Sequence, residues 1–348
     1  MNDRFQALVH GAALALIIGW VLYIGQDVFI PVVFGILVFY VVVGLTRLLS
    51  RVPLVGRHLP QWLRYALSIA LIGLVLVAVA FLALASKNGV VAMAPQYEQS
   101  LLATIQKVAV FFHIEGEPTW TTLRRDVLAQ INVQRFVGVT FAAVASVVVG
   151  VLVVILYAAL LLVEQRVFES KLANLSSDPH TVARIRQLTT DINARIGSYL
   201  GLKTMLSLLL GVLSWAAMAL AGLEFAGFWA VLIGLLNFIP YIGTVLGVFF
   251  PVLMAIVQFD SAGQVFAVLL PLVIAQFVIG NIVDPLAMGN SLNLSPFAIL
   301  VALAVWTGLW GIPGAFLAVP ITAILTIVLS EFPGVRPISV LLSRNGKV

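Results

Sequence analysis

FWAVLIGLLNFIPYIGTVLGVFFPVLMAIV, residues 228–257, carries no charged side chain. As one straight helix it would be about 45 Å long at roughly 1.5 Å per residue. A bilayer core needs only about 20 apolar residues, so the stretch is too long for a simple span. In its middle stands Asn237-Phe-Ile-Pro240-Tyr-Ile-Gly243, where Pro240 lacks a backbone donor and crowds the preceding turn. Two half-helices joined at a polar, proline-broken tip account for both the length and the interruption. Phe297 to Ser330 repeats the design, with Trp310-Gly-Ile-Pro313-Gly314 at its centre.

The composition agrees with a lipid solvent. Of 348 residues, 62% are hydrophobic and 9% are charged, and the mean hydropathy is +1.13. A soluble domain carries about 25% charged residues; this is an all-α polytopic membrane protein. Cysteine is absent, which excludes disulfides and thiolate metal sites. His10, His58, His113 and His180 lie far apart and suggest no ligand cluster, so no metal and no cofactor are expected. The net charge of +5 reads as basic cytoplasmic loops rather than nucleic-acid binding. Between Thr204 and Val335 there is no Lys or Arg, and Glu224, Asp260, Asp284 and, near the end, Glu331 are the acids. That part is almost wholly intramembrane.

Residues 1–86 read as a three-span part: Ala7 to Ile24, a tight turn at Gly25-Gln-Asp27, Val28 to Leu49, and Tyr65 to Ser86. Arg47, Arg51, Arg57 and Arg64 surround the second turn with no acid among them, which keeps that loop and the N-terminus in the cytoplasm. The first apolar run is long and reads as a retained span, not a cleaved leader. Residues 87–135 form a small helical insert outside the membrane, with apolar faces at Tyr97, Leu101, Ile105, Val108 and Phe112 and at Trp120, Leu123, Val127 and Ile131. Residues 136–163 return as a fourth span.

Residues 164–203 are a cytoplasmic amphipathic linker. Asp178-Pro179 is an N-cap followed by proline at the first helical position. Val182, Ile185, Leu188, Ile192, Ile196 and Tyr199 form one stripe, so the helix is expected to lie along the membrane surface and re-enter at Thr204. Residues 204–335 then read as helix, broken segment, helix, broken segment. With these, about six full spans accompany two broken or re-entrant hairpins. Residues 336–348 form a cytoplasmic tail.

Re-entrant hairpins would make an inverted pair, one entering from each side. Kinked crossing helices are the alternative, and charge counting does not separate them because neither intervening loop holds Lys or Arg. The lengths favour hairpins. Irregular backbone at membrane depth persists only where protein buries it or a watery cavity meets it, and broken segments in corresponding halves point to a transported solute's site. Asn237 supplies an amide at the first tip. Asn281 and Asp284 stand at the end of the intervening helix, where a polar loop, Asp284 to Pro296, is expected to begin, and a carboxylate near lipid is a functional candidate by default. Pro240, Gly243, Pro313 and Gly314 shape the tips. Gly247, Gly308 and Gly311, with Pro251, Pro285, Gly289 and Pro320, read as hairpin and close-packing positions. No GxxxxGK[ST] loop, HExxH or GxSxG motif is present, so an enzyme is not expected.

At these residues the sequence resembles the autoinducer-2 exporter family of bacterial inner-membrane proteins. The carriers are Tyr199-Leu-Gly-Leu-Lys203, Asn237 through Gly243, Gly280-Asn-Ile-Val-Asp-Pro285 with Met288-Gly289, Ser291-Leu-Asn-Leu-Ser-Pro296, and Gly314 through Ala318-Val-Pro320. The resemblance implies a multi-pass transporter of a small-molecule solute, a homo-oligomer, with paired hairpins around the path. Its members resemble exporters of small signalling molecules, and some relatives resemble sodium/proton antiporters. Leu286 and Asn290 stand where the family commonly has basic residues, and Asp284 where Glu or Gln is usual.

The expectation is therefore a secondary transporter in the bacterial inner membrane, with both termini cytoplasmic, exporting a small polar metabolite of the autoinducer-2 kind through a site between the two tips. Protons or sodium are candidate coupling ions. A cation/proton antiporter titrating at Asp284 and a non-transporting membrane scaffold are the rival readings.

Overall fold

A computed structural model describes residues 3–51, 59–60, 62–73, 153–165, 167–168, 170–174, 176–259, 261–288 and 292–346. The expected insert at 87–135, most of the third span, the start of the fourth, and Gly289 lie outside these residues. Every extended element described is helical: α1 (Asp3–Ile24), α2 (Gln26–Arg51), α3 (Trp62–Gly73), α4 (Val153–Gln165), α5 (Pro179–Leu220), α6 (Ala226–Leu236), α7 (Ile242–Gln258), α8 (Ala262–Phe277), α9 (Pro296–Ser330) and α10 (Arg336–Leu342). A π-helical turn, Val278–Val283, extends α8 into Asp284–Met288.

Four of the helices are long and apolar enough to cross a bilayer: Gln26–Thr46, Pro179–Leu220, Ala262–Ala287 and Pro296–Ser330. Large side chains point outward from them and from α1, among them Trp20, Leu220, Leu286 and Phe297. Such surfaces suit acyl chains, not water.

Three boundaries differ from the sequence reading. The turn between the first two helices is a single residue, Gly25, rather than three. Beyond Val283 the chain stays helical to Met288, where a loop from Asp284 is expected. Most informative is α5, a single helix that continues unbroken through Thr204. Its 42 residues would measure about 63 Å, twice a bilayer core. The charged N-terminal half therefore extends past the apolar layer. Its apolar stripe meets protein: Ile196, Tyr199 and Leu200 join Tyr40, Leu294, Val319 and Ala323 in one core cluster. The start is capped as the sequence implies. Asp178 accepts hydrogen bonds from the backbone N–H groups of His180 and Thr181 and from the Thr181 hydroxyl. The Thr181 hydroxyl, then the two N–H groups, hold its carboxyl below the ordinary carboxylate range.

The chain forms two compact units interleaved in sequence: 1–70, 152–204 and 288–348 make one, and 71–151 and 205–287 the other. In the first unit, Tyr40 donates to Asn193 Oδ1 at 2.5 Å, and the Thr46 and Ser68 hydroxyls are 2.9 Å apart. Gly44 brings α2 against Gly201 of α5, where an added methyl would stand 3.9 Å from the Gly201 Cα. A one-pair bridge, Leu294 with Ser343, and the Ser295 N–H bond to the Leu342 carbonyl join the start of α9 to the end of α10. In the second unit, α6 lies on α5 through small residues. A methyl at Gly234 would sit 3.1 Å from the Ser207 carbonyl oxygen, and one at Gly211 would sit 3.3 Å from that of Ala230. Small residues permit this approach where no water drives helices together.

Candidate functional site: two helical hairpins

Both interrupted segments fold back on themselves. In the first, the Trp229 and Phe250 rings stack with centroids 6.5 Å apart and planes 14° from parallel. On a straight helix those residues would be about 32 Å apart. In the second, Trp306 Nε1 donates to Thr322 Oγ1 at 3.1 Å, across what would be about 24 Å of straight helix. The 11-residue arm α6, about 16 Å long, is too short to cross a bilayer. The hairpin alternative holds at both places.

The first hairpin turns through Asn237, Phe238, Ile239, Pro240 and Tyr241. With no N–H on Pro240 and a buried Ile239 before it, the chain closes by a three-residue turn. The Ile242 N–H donates to the Pro240 carbonyl at 2.6 Å, and Tyr241 takes φ 61°, ψ −55°. This positive-φ γ-turn is rare and strained, at a cost of about 1–3 kcal/mol that the surroundings must offset. Part of the offset comes from Asn237. Its side chain is buried, and Nδ2 donates to the hydroxyl of buried Ser207 at 2.9 Å. Just past the tip, a methyl group on Gly243 would collide with the Leu236 carbonyl oxygen, so the arms touch backbone to backbone.

The mouth of this hairpin is tied as well. Gln258, the last residue of α7, accepts from the Glu224 N–H and donates to the Gly222 carbonyl, both at 2.8 Å. Midway along α7, Gly247 leaves room for the amide of Gln276 on α8; a methyl there would lie 2.8 Å from Gln276 Nε2. Gln276 is 4% exposed, and its Nε2 has no protein acceptor among the described residues. The hydroxyl of fully buried Ser214 and Trp229 Nε1 likewise lack a partner among those residues. Polar atoms in this condition are costly unless something else satisfies them. Among the described residues the unit thus leaves hydrogen-bonding capacity unspent in apolar surroundings.

The second hairpin breaks at Gly311, whose φ 62°, ψ −140° is foreign to residues with a Cβ. Nothing lies within 4 Å of where its Cβ would be, so backbone conformation, not space, requires glycine. Gly314 mirrors Gly243: a methyl there would meet the Trp306 carbonyl oxygen. Trp310 Nε1 donates to the Leu22 carbonyl at 2.9 Å, which fixes this tip at the last turn of α1. Pro313 is half-buried beside it, and Pro320 is buried farther along the second arm.

Among the sequence candidates, Asn237, Pro240 and Gly243 share the first tip, and Gly311, Pro313 and Gly314 share the second. Gly247 and Pro251 are buried along α7, whereas Gly308 is exposed and touches nothing. Asn281 is exposed on the π-helical turn and donates to the Phe277 carbonyl at 3.3 Å. Asp284 is half-buried where that turn returns to α-helix, with Pro285 exposed after it. Sequence reasoning passed over Ser207, Gln258 and Gln276. A search for polar residues inside apolar helices would have found Gln276. No group of three His, Asp or Glu able to hold a metal occurs among the described residues.

Antiparallel apolar hairpins with polar, glycine-shaped tips, set among bilayer-length helices, define a polytopic membrane transport protein. The chain belongs to the AI-2E family of transporters, whose profile matches residues 12–334. A "Putative transport protein" of Haemophilus influenzae is 29% identical over 291 residues, 82% of this chain and 83% of its own length. One of the same description from Borreliella burgdorferi is 38% identical over 56% of this chain, a match spanning about half, 53%, of that relative. The "AI-2 transport protein TqsA" of Escherichia coli is 37% identical over 152 residues, 44% of each chain. The protein is accordingly a bacterial membrane protein that handles a small-molecule solute in a lipid environment.

Proposed function

We propose that the chain is a secondary transporter that exports a small polar metabolite of the autoinducer-2 kind. The observation that carries this reading is the first tip, where a strained turn and the Asn237–Ser207 pair sit in an otherwise apolar unit. A buried amide–hydroxyl pair can exchange its partner for a solute hydroxyl at little net cost, because one hydrogen bond replaces another. Asn237, with Asn281 and Asp284, offers polar contacts; Pro240, Gly243, Pro313 and Gly314 give the tips their shape. The likeness to a relative described as an AI-2 transport protein supports the solute class, and the family resemblance supports outward transport from a cell with both termini inside.

The test is uptake into inside-out vesicles, which reports export, using a panel of small polyols and furanone-type signals. Asn237→Ala should lower the rate at least tenfold while leaving the protein folded and membrane-inserted. Unchanged flux in that variant would remove the tip from the path, and flux in right-side-out vesicles alone would reverse the direction. A second reading has its own observation, the half-buried Asp284 at the end of a π-helical turn, a distortion frequent at functional sites. It makes the protein a sodium/proton antiporter, in which a pH dye inside proteoliposomes would respond to sodium without any organic solute.

A further inference from the structure

A cavity of about 360 Å³ opens at the mouth of the second hairpin, within the first unit. Arg184 and Arg195 from the charged half of α5, and Arg336 from the first turn of α10, face it, with Asp191 and Glu331 as the acids. Arg184 is already engaged. Its Nε donates to Glu331 Oε2 at 2.8 Å and its second amino group to the Glu331 carbonyl at 2.5 Å. That pair neutralises itself and closes the wall. Neither the Arg195 nor the Arg336 guanidinium has a hydrogen bond or ion pair among the described residues, and Asp191 is the remaining acid. The cavity therefore keeps one positive charge in surplus and two unengaged planar donor groups.

The lining is not uniformly polar. Leu188, Leu292 and Ile327 form an apolar wall, and Thr326 and Ser330 line the same space. The hydroxyls of these two spend their protons on the Thr322 and Ile327 carbonyls, so they offer acceptor lone pairs to a ligand O–H. A bare anion would use the guanidinium groups and ignore the apolar wall and the acceptors. A phosphate ester carrying a hydroxylated alkyl group would use all three. Arg is the side chain whose fork matches phosphate oxygens, and the volume falls within the ordinary range for small-ligand sites. The place also fits. The first half of α5 extends beyond the apolar layer, so the cavity lies where spans end and phosphate groups of lipid are concentrated.

We infer that this cavity binds a glycerophosphate group, with Arg195 and Arg336 holding the phosphate and the Thr326 and Ser330 hydroxyls accepting from the glycerol. The group can come from the headgroup of phosphatidylglycerol or from a soluble glycerol phosphate, and binding would brace the base of the second hairpin against α5 and α10. The inference does not depend on which solute is transported.

The experiment uses the full chain. Wild type in phosphatidylcholine nanodiscs doped with phosphatidylglycerol is released into native mass spectrometry and the retained phosphatidylglycerol is counted. In a separate arm, glycerol 3-phosphate is titrated calorimetrically into detergent-purified protein. Each lost guanidinium should weaken binding about tenfold, so the double variant Arg195→Gln/Arg336→Gln should lose it. Arg186→Gln, on the same helix but not lining the cavity, should keep it. Retention of phosphatidylglycerol that the double variant abolishes identifies the lipid source; calorimetric binding alone, abolished likewise, identifies the soluble one. Absence of binding in both arms, or binding equal in wild type and double variant, overturns the proposal. These readouts need no transport activity, so a failed solute assay leaves them intact.

Discussion

Two glycines of the second hairpin, three residues apart, should behave oppositely when methylated. Gly311 sits at φ 62° with open space around it; Gly311→Ala keeps the space and adds the strain, at about 1–3 kcal/mol. Gly308 is helical and open, so Gly308→Ala should stabilise by about 0.5–1 kcal/mol through the chain entropy that glycine loses. Denaturation in detergent followed by tryptophan fluorescence would show both shifts; equal shifts would mean that the Gly311 turn is not fixed in solution. At the other end of the same unit, Asp178 caps α5 with its carboxyl held below the usual range by the Thr181 hydroxyl and two N–H groups. A carboxylate with a depressed folded pKa contributes stability above its unfolded pKa and loses it as pH falls through the folded value. Asp178→Ala should therefore lower the melting temperature at neutral pH, an effect that fades as pH falls through the folded value, with melts across the acid range as the check. Both Pro240 and Asp178 were legible in the sequence because each breaks a local pattern: a proline in an apolar run, an N-cap before a proline. Ser207 was not, because nothing local distinguishes a serine pointing into a neighbouring helix from one that returns its proton to its own backbone.

At the scale of elements, hairpin and kinked rod predict different distances from the same residues. The absence of cysteine makes the chain its own clean background. Trp306→Cys with Thr322→Cys should be joined by a thiol crosslinker of about 8 Å, since the native side chains share a hydrogen bond. In a straight α9 the two would be about 24 Å apart and would not react. A protease site placed between them at an exposed position, Ile312, would show the link as a band that fails to separate after cleavage. Segment length carried this feature in the sequence, because apolar runs of 30 residues exceed what lipid requires. The course of α5 was less legible. Its stripe of Ile and Leu has the spacing of an interfacial helix, and periodicity reports that a face is buried without reporting whether lipid or protein buries it. Tyr40, Leu294 and Val319 supply the cover, from positions far away in the chain.

For the molecule as a whole, the open matter is the source of work. No GxxxxGK[ST] loop occurs in the sequence; on the proposed reading of the chain as a secondary transporter, an ion gradient supplies that work. Among the described acids of residues 204–335, Asp284 is the carboxylate placed within a helix; Glu224 lies in the turn before α6 and Glu331 follows the end of α9. One charge moving through 100 mV releases about 2.3 kcal/mol, which sustains a solute ratio of about 40-fold at 1.4 kcal/mol per tenfold. A single titrating carboxylate is therefore enough to drive a useful gradient. If Asp284 is that group, Asp284→Asn removes the response to an imposed proton or sodium gradient while downhill solute flux stays within about twofold. Proteoliposomes loaded with solute, assayed with and without an ionophore, separate the two quantities. Accumulation that survives in Asp284→Asn and still collapses with the ionophore would assign coupling to another group. Loss of downhill flux together with accumulation would make Asp284 a solute contact instead. Because the carboxylate stands where the π-helical turn closes, its protonation would act on a segment whose hydrogen-bond register is already irregular. Restoring the ordinary register by deleting Gly280 should then blunt the pH response even with Asp284 intact.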